Sequence, residues 1–263
     1  MTQTERLIFL INYLLDENSE RRSASIPAQV TERERLLRSL MNIRPPKPIS
    51  KEFLEVQDAY LQEQCKRKGV ISLTELSPAE PGIYLWQGDI TRLSVDAVVN
   101  AANSAMLGCF VPCHGCVDNA IHSAAGVELR LECARIMEKE YSTKKQKAEE
   151  PAGKAKLTRA YNLPCRYVLH TVGPIIRGQV TLKDCERLSD CYHSCLELAS
   201  AYQLKSVAFC CISTGEFHFP NEQAARIAIQ TVRDYQRKNQ NGLEVVFNVF
   251  KDIDYQIYRQ LLG

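Results

Sequence analysis

Four side chains of the types that bind transition metals lie close together in the middle of the chain. Within eight residues the sequence contains Cys109, Cys113, His114 and Cys116. Thiolate and imidazole are preferred ligands of Zn²⁺, and a compact set of three ligands leaves one coordination position open, as in catalytic zinc sites. We favour Cys109, His114 and Cys116 as the ligands and Cys113 as the spare thiol, because neighbours such as Cys113 and His114 often point apart. The alternative is a set of buried cysteines beside an unrelated histidine.

Two other loops have side chains that are suited to recognising a nucleotide. Asp89 follows a strand-like run, and its carboxylate could accept hydrogen bonds from an exocyclic amine such as that of adenine. The alternative is that Asp89 forms a turn or caps a short helix. Asn100 and Asn103 flank two alanines in the next loop. Carboxamides donate and accept hydrogen bonds, which suits sugar hydroxyls, although they also form Asx turns.

A fourth loop combines hydroxyl groups with a glycine after an apolar run. Its residues are Ser213, Thr214, Gly215, Glu216 and Phe217. Such a loop between a strand and a helix can present backbone amides to an anion, and Phe217 could pack on a sugar. An ordinary turn is an equally good interpretation.

Three histidines lie outside the cysteine cluster but near these loops. His122 follows Asp118 by one helical turn, and we favour a hydrogen-bonded structural role for it over contact with a ligand. His170 is also expected to be structural. His218 follows Phe217 and could reach a diphosphate or a metal, which is the less favoured interpretation.

From residue 70 onward, β-branched and aromatic runs alternate with helical patterns. The strand-like runs are 83–86, 95–100, 167–172, 206–211 and 243–250, and the helical patterns are 118–139, 182–202, 222–238 and 253–262. Several runs lack polar alternation, as expected of strands that are covered on both faces. This order predicts an α/β protein, a three-layer α/β/α sandwich with a mixed, largely parallel sheet. In such folds ligands bind beyond the carboxyl ends of the strands, where the four loops lie.

The first 70 residues are predicted to form a helical N-terminal extension to a domain of residues 71–263. The expected N-caps of its three helices are Thr4, Thr31 and Ser50. Thr31 and Glu34 have the spacing of a capping box. Because these helices are amphipathic, their apolar faces must be buried, and we expect them to dock on the domain that follows.

Composition excludes several classes of protein. Of the 263 residues, 45% are hydrophobic and 24% are charged, with a net charge of +2, so a packed core is expected and nucleic acid is not the expected partner. The longest apolar run, near residues 7–11, is far shorter than the about 20 residues of a membrane span. It also lacks the features of a secretory leader. We therefore expect the eleven cysteines in a reducing cytoplasm, where a cysteine cluster suggests a metal before disulfides.

Five segments together resemble a macrodomain, the ADP-ribose-binding α/β/α fold. They are Gly88-Asp-Ile-Thr91, Val95-Asp-Ala-Val-Val-Asn-Ala-Ala-Asn-Ser104, the stretch 117–126 with Val-Asp-Asn-Ala-Ile-His, the stretch 161–174 that ends in His-Thr-Val-Gly-Pro, and Ser213-Thr-Gly215. They follow one another in the order of that family. MacroD-type hydrolases have a glycine-rich run before the Val-Asp pair, and here a longer segment with the cysteines replaces it. This departure is similar to the microbial zinc-containing macrodomains, which also have a helical N-terminal extension.

The resemblance implies a role for each loop. Asp89 would bind adenine, and Ile90 would make a backbone contact beside it. Asn103 would bind the distal ribose, near Asp118 at the bond that breaks, and Phe217 would lie against the same ribose. The residues implied for the diphosphate are Ser213, Thr214, Gly215 and Glu216.

The function implied is a zinc-dependent hydrolase that removes mono-ADP-ribose from modified protein side chains, with Asn103 and Asp118 as catalytic residues. The linkage would be to a carboxylate, and in the zinc-containing branch the target is a lipoyl-carrier protein that a sirtuin-type transferase modifies. Zn²⁺ can polarise an oxygen or lower the pKa of water, and Asp118 could orient or deprotonate that water. The alternatives are an ADP-ribose-binding module with a structural zinc and a deacetylase of O-acetyl-ADP-ribose. The sequence makes no prediction of the oligomeric state.

Overall fold

The computed structural model describes residues 1–17, 25–142 and 148–263. The strands are β1 Ile71–Ser72, β2 Pro78–Glu80, β3 Ile83–Gln87, β4 Leu93–Ser94, β5 Ala97–Ala101, β6 Ala155–Arg159, β7 Tyr167–Thr171, β8 Ser206–Phe209 and β9 Glu244–Val249. Seven of them form one sheet in the order β2-β3-β9-β8-β5-β7-β6, and β1 pairs with β4. The inner neighbours from β3 to β7 are parallel, whereas β2 and β6 are antiparallel to their neighbours at the two edges.

Helices flank this sheet in two groups. The helices are α1 Gln3–Glu17, α2 Val30–Ile43, α3 Lys51–Lys68, α4 Val117–Ala125, α5 Val127–Tyr141, α6 Leu182–Ala201, α7 Asn221–Asn239 and α8 Asp252–Leu262. In one group α7 packs between α6 and α8, and in the other α4 packs on α5 and also contacts α2 and α3. The predicted α/β/α architecture with a mixed, largely parallel sheet and a preceding helical segment is therefore confirmed.

The composition of each strand reflects whether the strand lies inside the sheet or at its edge. In β5 the residues Ala97, Val98, Val99 and Asn100 are all buried, and β8 is buried throughout, because helices cover both faces of the inner strands. The edge strand β6 was not among the predicted strands. Its sequence alternates lysine, leucine, threonine and arginine, and most of its residues are only half-buried, so it lacks an apolar run.

The predicted helix 118–139 is two helices, because Gly126 interrupts it. This glycine has a φ of +100°, a value that side chains with a Cβ rarely adopt. A Cβ at this position would lie 2.6 Å from the Nε2 atom of Gln57. Gln57 comes from α3, and its Oε1 accepts a hydrogen bond from the amide of Val127 at 2.9 Å. A residue of the N-terminal helices thus satisfies an amide at the start of α5.

The predicted cap of α1 is wrong, whereas that of α3 is confirmed. Thr2, and not Thr4, accepts from the amide of Glu5 at 3.2 Å, while the carboxylate of Glu5 accepts from the amide of Thr2 at 2.7 Å. The helix therefore begins two residues earlier than its apolar face suggested. Ser50 accepts from the amide of Phe53 at 3.1 Å, as expected of an N-cap.

The predicted capping box of α2 is also wrong. This helix begins at Val30 after Gln29, which makes no side-chain cap, so Thr31 lies inside the helix. Glu34 instead accepts a hydrogen bond from Gln64 of α3 at 2.7 Å. A contact with another helix has taken the place of the local one.

The three N-terminal helices bury their apolar faces against one another and against the following domain. Their shared core includes Leu10, Leu37 and Phe53, and Val127 of α5 joins it. The expected docking is therefore observed. In the three described stretches of the chain, none of the helices has the length and apolar character that crossing a membrane requires.

Candidate active site and metal centre

The predicted loops converge at one edge of the sheet. Asp89 follows β3, Asn103 follows β5 and Ser213 follows β8. These strands are joined by parallel pairs through β9, so their carboxyl ends lie at the same edge. Residues 108–116 connect β5 to α4 and reach the same place.

Asp89 is a cap in this structure, which is one of its two interpretations. Its Oδ1 accepts hydrogen bonds from the amide of Thr91 at 3.0 Å and from the hydroxyl of Thr91 at 2.7 Å. Oδ2 lies 3.5 Å from the ammonium of Lys68. Burial alone would raise the pKa of Asp89, but the bonds from Thr91 and the charge of Lys68 outweigh it and lower the pKa. The carboxylate is therefore ionised, and Oδ2 has room for a further donor.

Near Asp89 lie a buried aliphatic residue, Ile90, and an exposed aromatic residue, Phe250. Ile90 is buried in the main core, so only its backbone is available to a ligand. Phe250 was not predicted as a site residue, yet it follows the last residue of β9, whose carbonyl accepts from the amide of Gly88 at 2.9 Å. Its side chain is 74% exposed. An aromatic residue at a strand end is the sequence signal that could have found it.

Asp118 lies at the centre of a buried hydrogen-bond network. Its two oxygens accept from Asn100 Nδ2 at 2.8 Å and from Asn103 Nδ2 at 3.2 Å. Asn100 Nδ2 also lies 3.1 Å from His170 Nδ1, and His170 Nε2 lies 2.9 Å from the hydroxyl of Thr158. The two asparagines fix the carboxylate, and His170 fixes one of the asparagines from behind.

Burial controls the protonation of this network. Burial raises the pKa of Asp118 to about 6, against the lowering effects of Asn100, the Arg130 charge and Asn103. Burial lowers the pKa of His170 to about 3, so its ring is neutral. With Nδ1 accepting from Asn100, the proton of His170 resides on Nε2 and is donated to Thr158. A carboxyl group whose pKa lies near neutrality is suited to general acid–base chemistry.

His122 does not make the hydrogen bonds expected of a structural histidine. Neither ring nitrogen has a hydrogen-bond partner among the described residues, and Nε2 lies 3.5 Å from the nearer oxygen of Asp118. Burial, helped by His170 and Arg130, lowers its pKa well below the ordinary value. Its ring packs so closely on Gly108 that a Cβ there would lie 2.7 Å from it. His122 therefore shapes the wall of the site next to Asp118.

The structure brings together the three residues that were favoured as metal ligands. The ligand atoms of Cys109, His114 and Cys116 lie within 4.8 Å of one another, and we call these three residues the Cys/His group. The Nδ1 atom of His114 is buried without a hydrogen-bond partner among the described residues. Two thiols and an imidazole with an unpartnered nitrogen are a donor set that suits zinc.

The remaining cysteine of this segment, Cys113, points elsewhere. The thiol of Cys113 donates to the carbonyl of Arg35 in α2 at 3.3 Å, and its φ of +53° turns the chain at this point. In the described stretches of the chain, neither Cys113 nor His218 belongs to the Cys/His group. This arrangement matches the expectation that Cys113 is the spare thiol.

Cys116 also begins helix α4. Its sulfur accepts from the amide of Asn119 at 3.4 Å, which places the sulfur at the positive end of the helix dipole. Burial nevertheless raises the pKa of the Cys116 thiol to about 12, with smaller contributions from the nearby Cys109 and Asp118 and against the lowering effect of the bond from Asn119. Because a metal binds the thiolate, uptake of a metal would release a proton here.

The loop 213–217 contains backbone amides that are not used in the bonds of the described chain. Among residues 1–17, 25–142 and 148–263, no acceptor is found for the amides of Gly215, Glu216 and Phe217. A Cβ on Gly215 would meet nothing within 4 Å, so open space adjoins the loop. Ser213 has a φ of +65°, and its hydroxyl is buried without a partner among the described residues. Concave turns of free amides are a general means of binding anions in proteins.

The side chains of this loop reach the rest of the site. Phe217 packs against a small apolar cluster that contains Ala102 and Met106, and Thr214 donates to the carbonyl of Cys211 at 3.2 Å. The carboxylate of Glu216 is 73% exposed and lies 3.7 Å from Nε2 of His114. Glu216 thus lies beside the Cys/His group. The resemblance implied only that Glu216 helps to bind the diphosphate, so it did not suggest this contact.

Two other features, a buried set of histidine and cysteine side chains behind Asp118 and a surface groove, were not predicted as ligand sites. His122, Cys133 and His170 bring their ligand atoms within 4.8 Å of one another, but all three are buried and His170 is already bonded to Asn100 and Thr158. A groove of about 780 Å³ between α6 and α7 is lined by residues such as His193 and Arg226 and contains none of the predicted site residues.

Comparisons with known proteins agree with this geometry. The family model described as "Macro domain" matches residues 99–228. A protein-ADP-ribose hydrolase of Treponema medium is 54% identical over all of both chains. One from Staphylococcus aureus is 47% identical over 97% of this chain and 94% of that protein.

One of the similar solved structures contains a bound ligand. The Trypanosoma brucei macrodomain in complex with ADP-ribose is 31% identical to this chain and has a TM-score of 0.66. The alignment covers 86% of this chain and 95% of that one. Because these relatives match nearly the whole chain and a solved macrodomain aligns with most of it, this chain belongs to the macrodomain family.

Proposed function

We propose that this protein is a protein-ADP-ribose hydrolase that removes mono-ADP-ribose from modified side chains. The observation that carries the proposal is the buried carboxylate of Asp118, held by Asn100 and Asn103 beside the Cys/His group and the free amides of the loop 213–217. The full-length relatives named protein-ADP-ribose hydrolase support it.

The pocket would hold ADP-ribose from one end to the other. Asp89 Oδ2 would accept from the adenine amine, the backbone of Ile90 would make a contact beside it, and Phe250 would offer an aromatic surface to the base. The solved macrodomain complexes with ADP-ribose support this ligand. The diphosphate would bind the amides of residues 213–217, and Asn103 and Phe217 would adjoin the distal ribose.

Asp118 would then act on the proton of the attacking water. A base must be ionised, and a pKa of about 6 leaves the carboxylate ionised at neutral pH while keeping it basic enough to take a proton. The bonds from Asn100 and Asn103 fix both oxygens, so the proton would be taken without reorienting the carboxylate. Burial also excludes other water from this carboxylate.

The Cys/His group fits Zn²⁺, with Cys109, His114 and Cys116 as the residues that would hold it. The unpartnered Nδ1 of His114 and the sulfur donors are the observations that support this fit. When bound, zinc would supply a Lewis acid beside the distal ribose. The carboxylate of Glu216 near His114 would orient the imidazole, as carboxylates commonly do behind metal-bound histidines.

Three finer proposals rest on the sequence resemblance. The linkage would be to a carboxylate side chain, and the modified protein would be a lipoyl carrier. Residues 1–70 would form the extension and residues 71–263 the macrodomain, a division supported by the end of α3 at Lys68 and the start of β1 at Ile71. All eleven cysteines are free, which supports a reducing compartment such as the cytoplasm.

A three-arm experiment tests the proposed function. Zinc-loaded protein is incubated with a protein that is mono-ADP-ribosylated on carboxylates, with free ADP-ribose in a calorimeter, and with O-acetyl-ADP-ribose. Release of ADP-ribose from the modified protein supports the hydrolase. Binding of free ADP-ribose without release from either ester would instead indicate a binding module, and release from the acetyl ester alone would indicate a deacetylase.

A further arm tests the protein target. A modified lipoyl-carrier protein and an unrelated protein with the same linkage are compared at equal concentration. Faster release from the lipoyl carrier supports the proposed target, and equal rates would remove it.

A further inference from the structure

One face of helix α2 lies directly on the loop that contains the Cys/His group. Arg35, Arg38 and Asn42 are spaced three and four residues apart, so they share that face of the helix. Each of them contacts residues in or next to the loop 108–116. These contacts join parts of the chain that lie more than 70 positions apart.

Arg38 binds the loop at its last turn. Its Nη2 donates to the carbonyl of His114 at 3.0 Å, and its Nε and Nη2 donate to Oδ1 of Asn119 at 3.0 and 2.6 Å. Asn119 in turn donates to the carbonyl of Val111 at 3.0 Å. Arg38 therefore holds the backbone of His114 directly and the middle of the loop through Asn119.

Asn42 holds the tightest point of the same loop. Its Oδ1 accepts from the amide of Cys113 at 2.9 Å, and its Nδ2 donates to the hydroxyl of Ser123 at 2.9 Å. Cys113 adopts a positive φ, which a residue with a Cβ tolerates only when its surroundings hold it. The bonds to Asn42 and to the carbonyl of Arg35 keep Cys113 turned toward α2 and away from the Cys/His group.

Arg130 of α5 completes the connection from the other side. It is 5% exposed, and its guanidinium donates to the carbonyls of Leu107 and Cys109 at 2.6 and 3.3 Å. The same guanidinium donates to the carbonyls of Met41, Asn42 and Arg44 at the end of α2, at 2.6 to 3.1 Å. One buried side chain thus ties the start of the loop to the end of the helix.

We infer that helix α2 of the N-terminal extension is a positioning element of the metal centre, and that Arg38 and Asn42 are its positioning residues. Neither belongs to the Cys/His group, and they act by holding the loop 108–116 in the conformation that gathers Cys109, His114 and Cys116. This inference rests on the proposed zinc site. It gives the extension a role at the metal centre in addition to covering apolar surface.

The test measures zinc affinity directly. Full-length wild-type protein, Arg38→Ala and Asn42→Ala are stripped of metal and titrated with zinc in competition with a chromophoric chelator. The matched control is Arg35→Ala, which is on the same face of α2, has an exposed side chain and keeps the carbonyl that Cys113 contacts. Because loss of an outer partner of a metal site costs about 10–100-fold in affinity, we expect that loss in the two variants and wild-type affinity in the control.

A second measurement guards against loss of folding. Circular dichroism first establishes that each variant is folded, and amide hydrogen exchange of the metal-free proteins then reports on the loop. Faster exchange of the amides of residues 109–116 in Arg38→Ala and Asn42→Ala, with wild-type exchange in the sheet, supports the inference. If Asn42→Ala does not fold, the zinc affinity and the amide exchange of Arg38→Ala alone test the inference.

The outcomes separate this inference from the proposed function. If the wild-type chain binds zinc and Arg38→Ala binds it equally tightly, the positioning role is overturned and the zinc site stands. If the wild-type chain binds no zinc, the proposed metal centre fails and this inference fails with it.

Discussion

The loop 108–116 and the loop 213–217 adjoin the same site, but different contacts hold them. The first is held by side chains of three helices, Arg38 and Asn42 from α2, Asn119 from α4 and Arg130 from α5. The second closes on its own backbone, since the amide of Phe219 donates to the carbonyl of Ser213 at 2.9 Å and that of His218 to the carbonyl of Gly215 at 3.0 Å.

The difference follows from what each loop presents. The loop 213–217 offers backbone amides to an anion, and a short turn of fixed geometry is enough for that. The loop 108–116 must bring together three side chains that are seven positions apart at most, with a positive φ at Cys113. A conformation of that kind needs support from outside the loop, and the N-terminal helices supply part of it.

The largest expected effect comes from removing a thiol of the Cys/His group. Cys116→Ser and Cys109→Ala should each abolish zinc retention and hydrolysis together, because a thiolate is a dominant ligand of zinc. Zinc content per chain and release of ADP-ribose are measured on the same samples. Cys113→Ala is the matched control and should keep its zinc; loss of zinc from that variant alone would show that the wrong cysteine was chosen as the spare.

The next effect concerns the buried network behind the loop 108–116. His170 is neutral in the folded protein because burial lowers its pKa to about 3, whereas an unfolded histidine has a pKa of about 6.5. As pH falls below about 6.5 the unfolded chain takes up a proton that folded His170 does not, so this residue alone lowers the free energy of unfolding by about 2 kcal/mol between pH 7 and pH 5. His122 adds to the loss in the same direction. Asp118 opposes part of it, because burial raises its folded pKa to about 6 and the folded protein takes up a proton there that the unfolded carboxylate does not.

Urea unfolding at pH 7, 6 and 5 measures this dependence. His170→Gln should flatten it, and the surface variant His193→Gln should leave it as in the wild type. An equal pH dependence in His170→Gln and in the wild type would contradict the neutral, buried state of His170.

A smaller effect on ligand binding is expected from a substitution that displaces the backbone of the loop 213–217 without changing any residue of the loop itself. A Cβ on Gly173 would overlap the hydroxyl of Ser213, so Gly173→Ala should shift the loop and weaken ADP-ribose binding about tenfold, the equivalent of roughly 1.4 kcal/mol. Zinc affinity should not change, because this loop is not part of the Cys/His group. Titration calorimetry measures the binding, and Gly178→Ala, at a position with open space, is the control.

The smallest effect is expected where the two loops approach each other. Glu216→Gln removes a charge that lies 3.7 Å from Nε2 of His114 and is mostly exposed. Since exposed charge pairs contribute about 0–1 kcal/mol, zinc affinity should fall by a few-fold at most, well below the effect of Arg38→Ala. A loss as large as that of Arg38→Ala would show that Glu216 supports the metal centre as strongly as α2 does.

Local spacing was sufficient to predict the residues of the Cys/His group. Cys109, His114 and Cys116 lie within eight residues of one another, so a single loop can bring them together. Asn103 and Asp118 were assigned to one site by the resemblance to macrodomains, and the hydrogen bond between them shows that they are neighbours. The sheet was predictable because its inner strands are continuous apolar runs.

What the sequence did not reveal are contacts between distant parts of the chain. Nothing near Arg38 indicates that it will bind Asn119, which is 81 positions away. Glu34 has the spacing of a capping box, but a bond from Gln64 of another helix replaced that local contact. The break at Gly126 did have a signal in the glycine itself, but its cause is the approach of Gln57 from α3.

The most direct test of the role of Asp118 compares Asp118→Asn with Asp89→Ala in single turnover, with enzyme in excess over a mono-ADP-ribosylated protein. We expect Asp118→Asn to lower the maximal rate by about 10²–10⁴-fold, as for loss of a general base, and to change ADP-ribose affinity little. Asp89→Ala should instead weaken ADP-ribose binding by about 1–3 kcal/mol and leave the maximal rate nearly unchanged. Cleavage by Asp118→Asn at the wild-type rate would contradict the central claim that this buried carboxylate performs the chemistry.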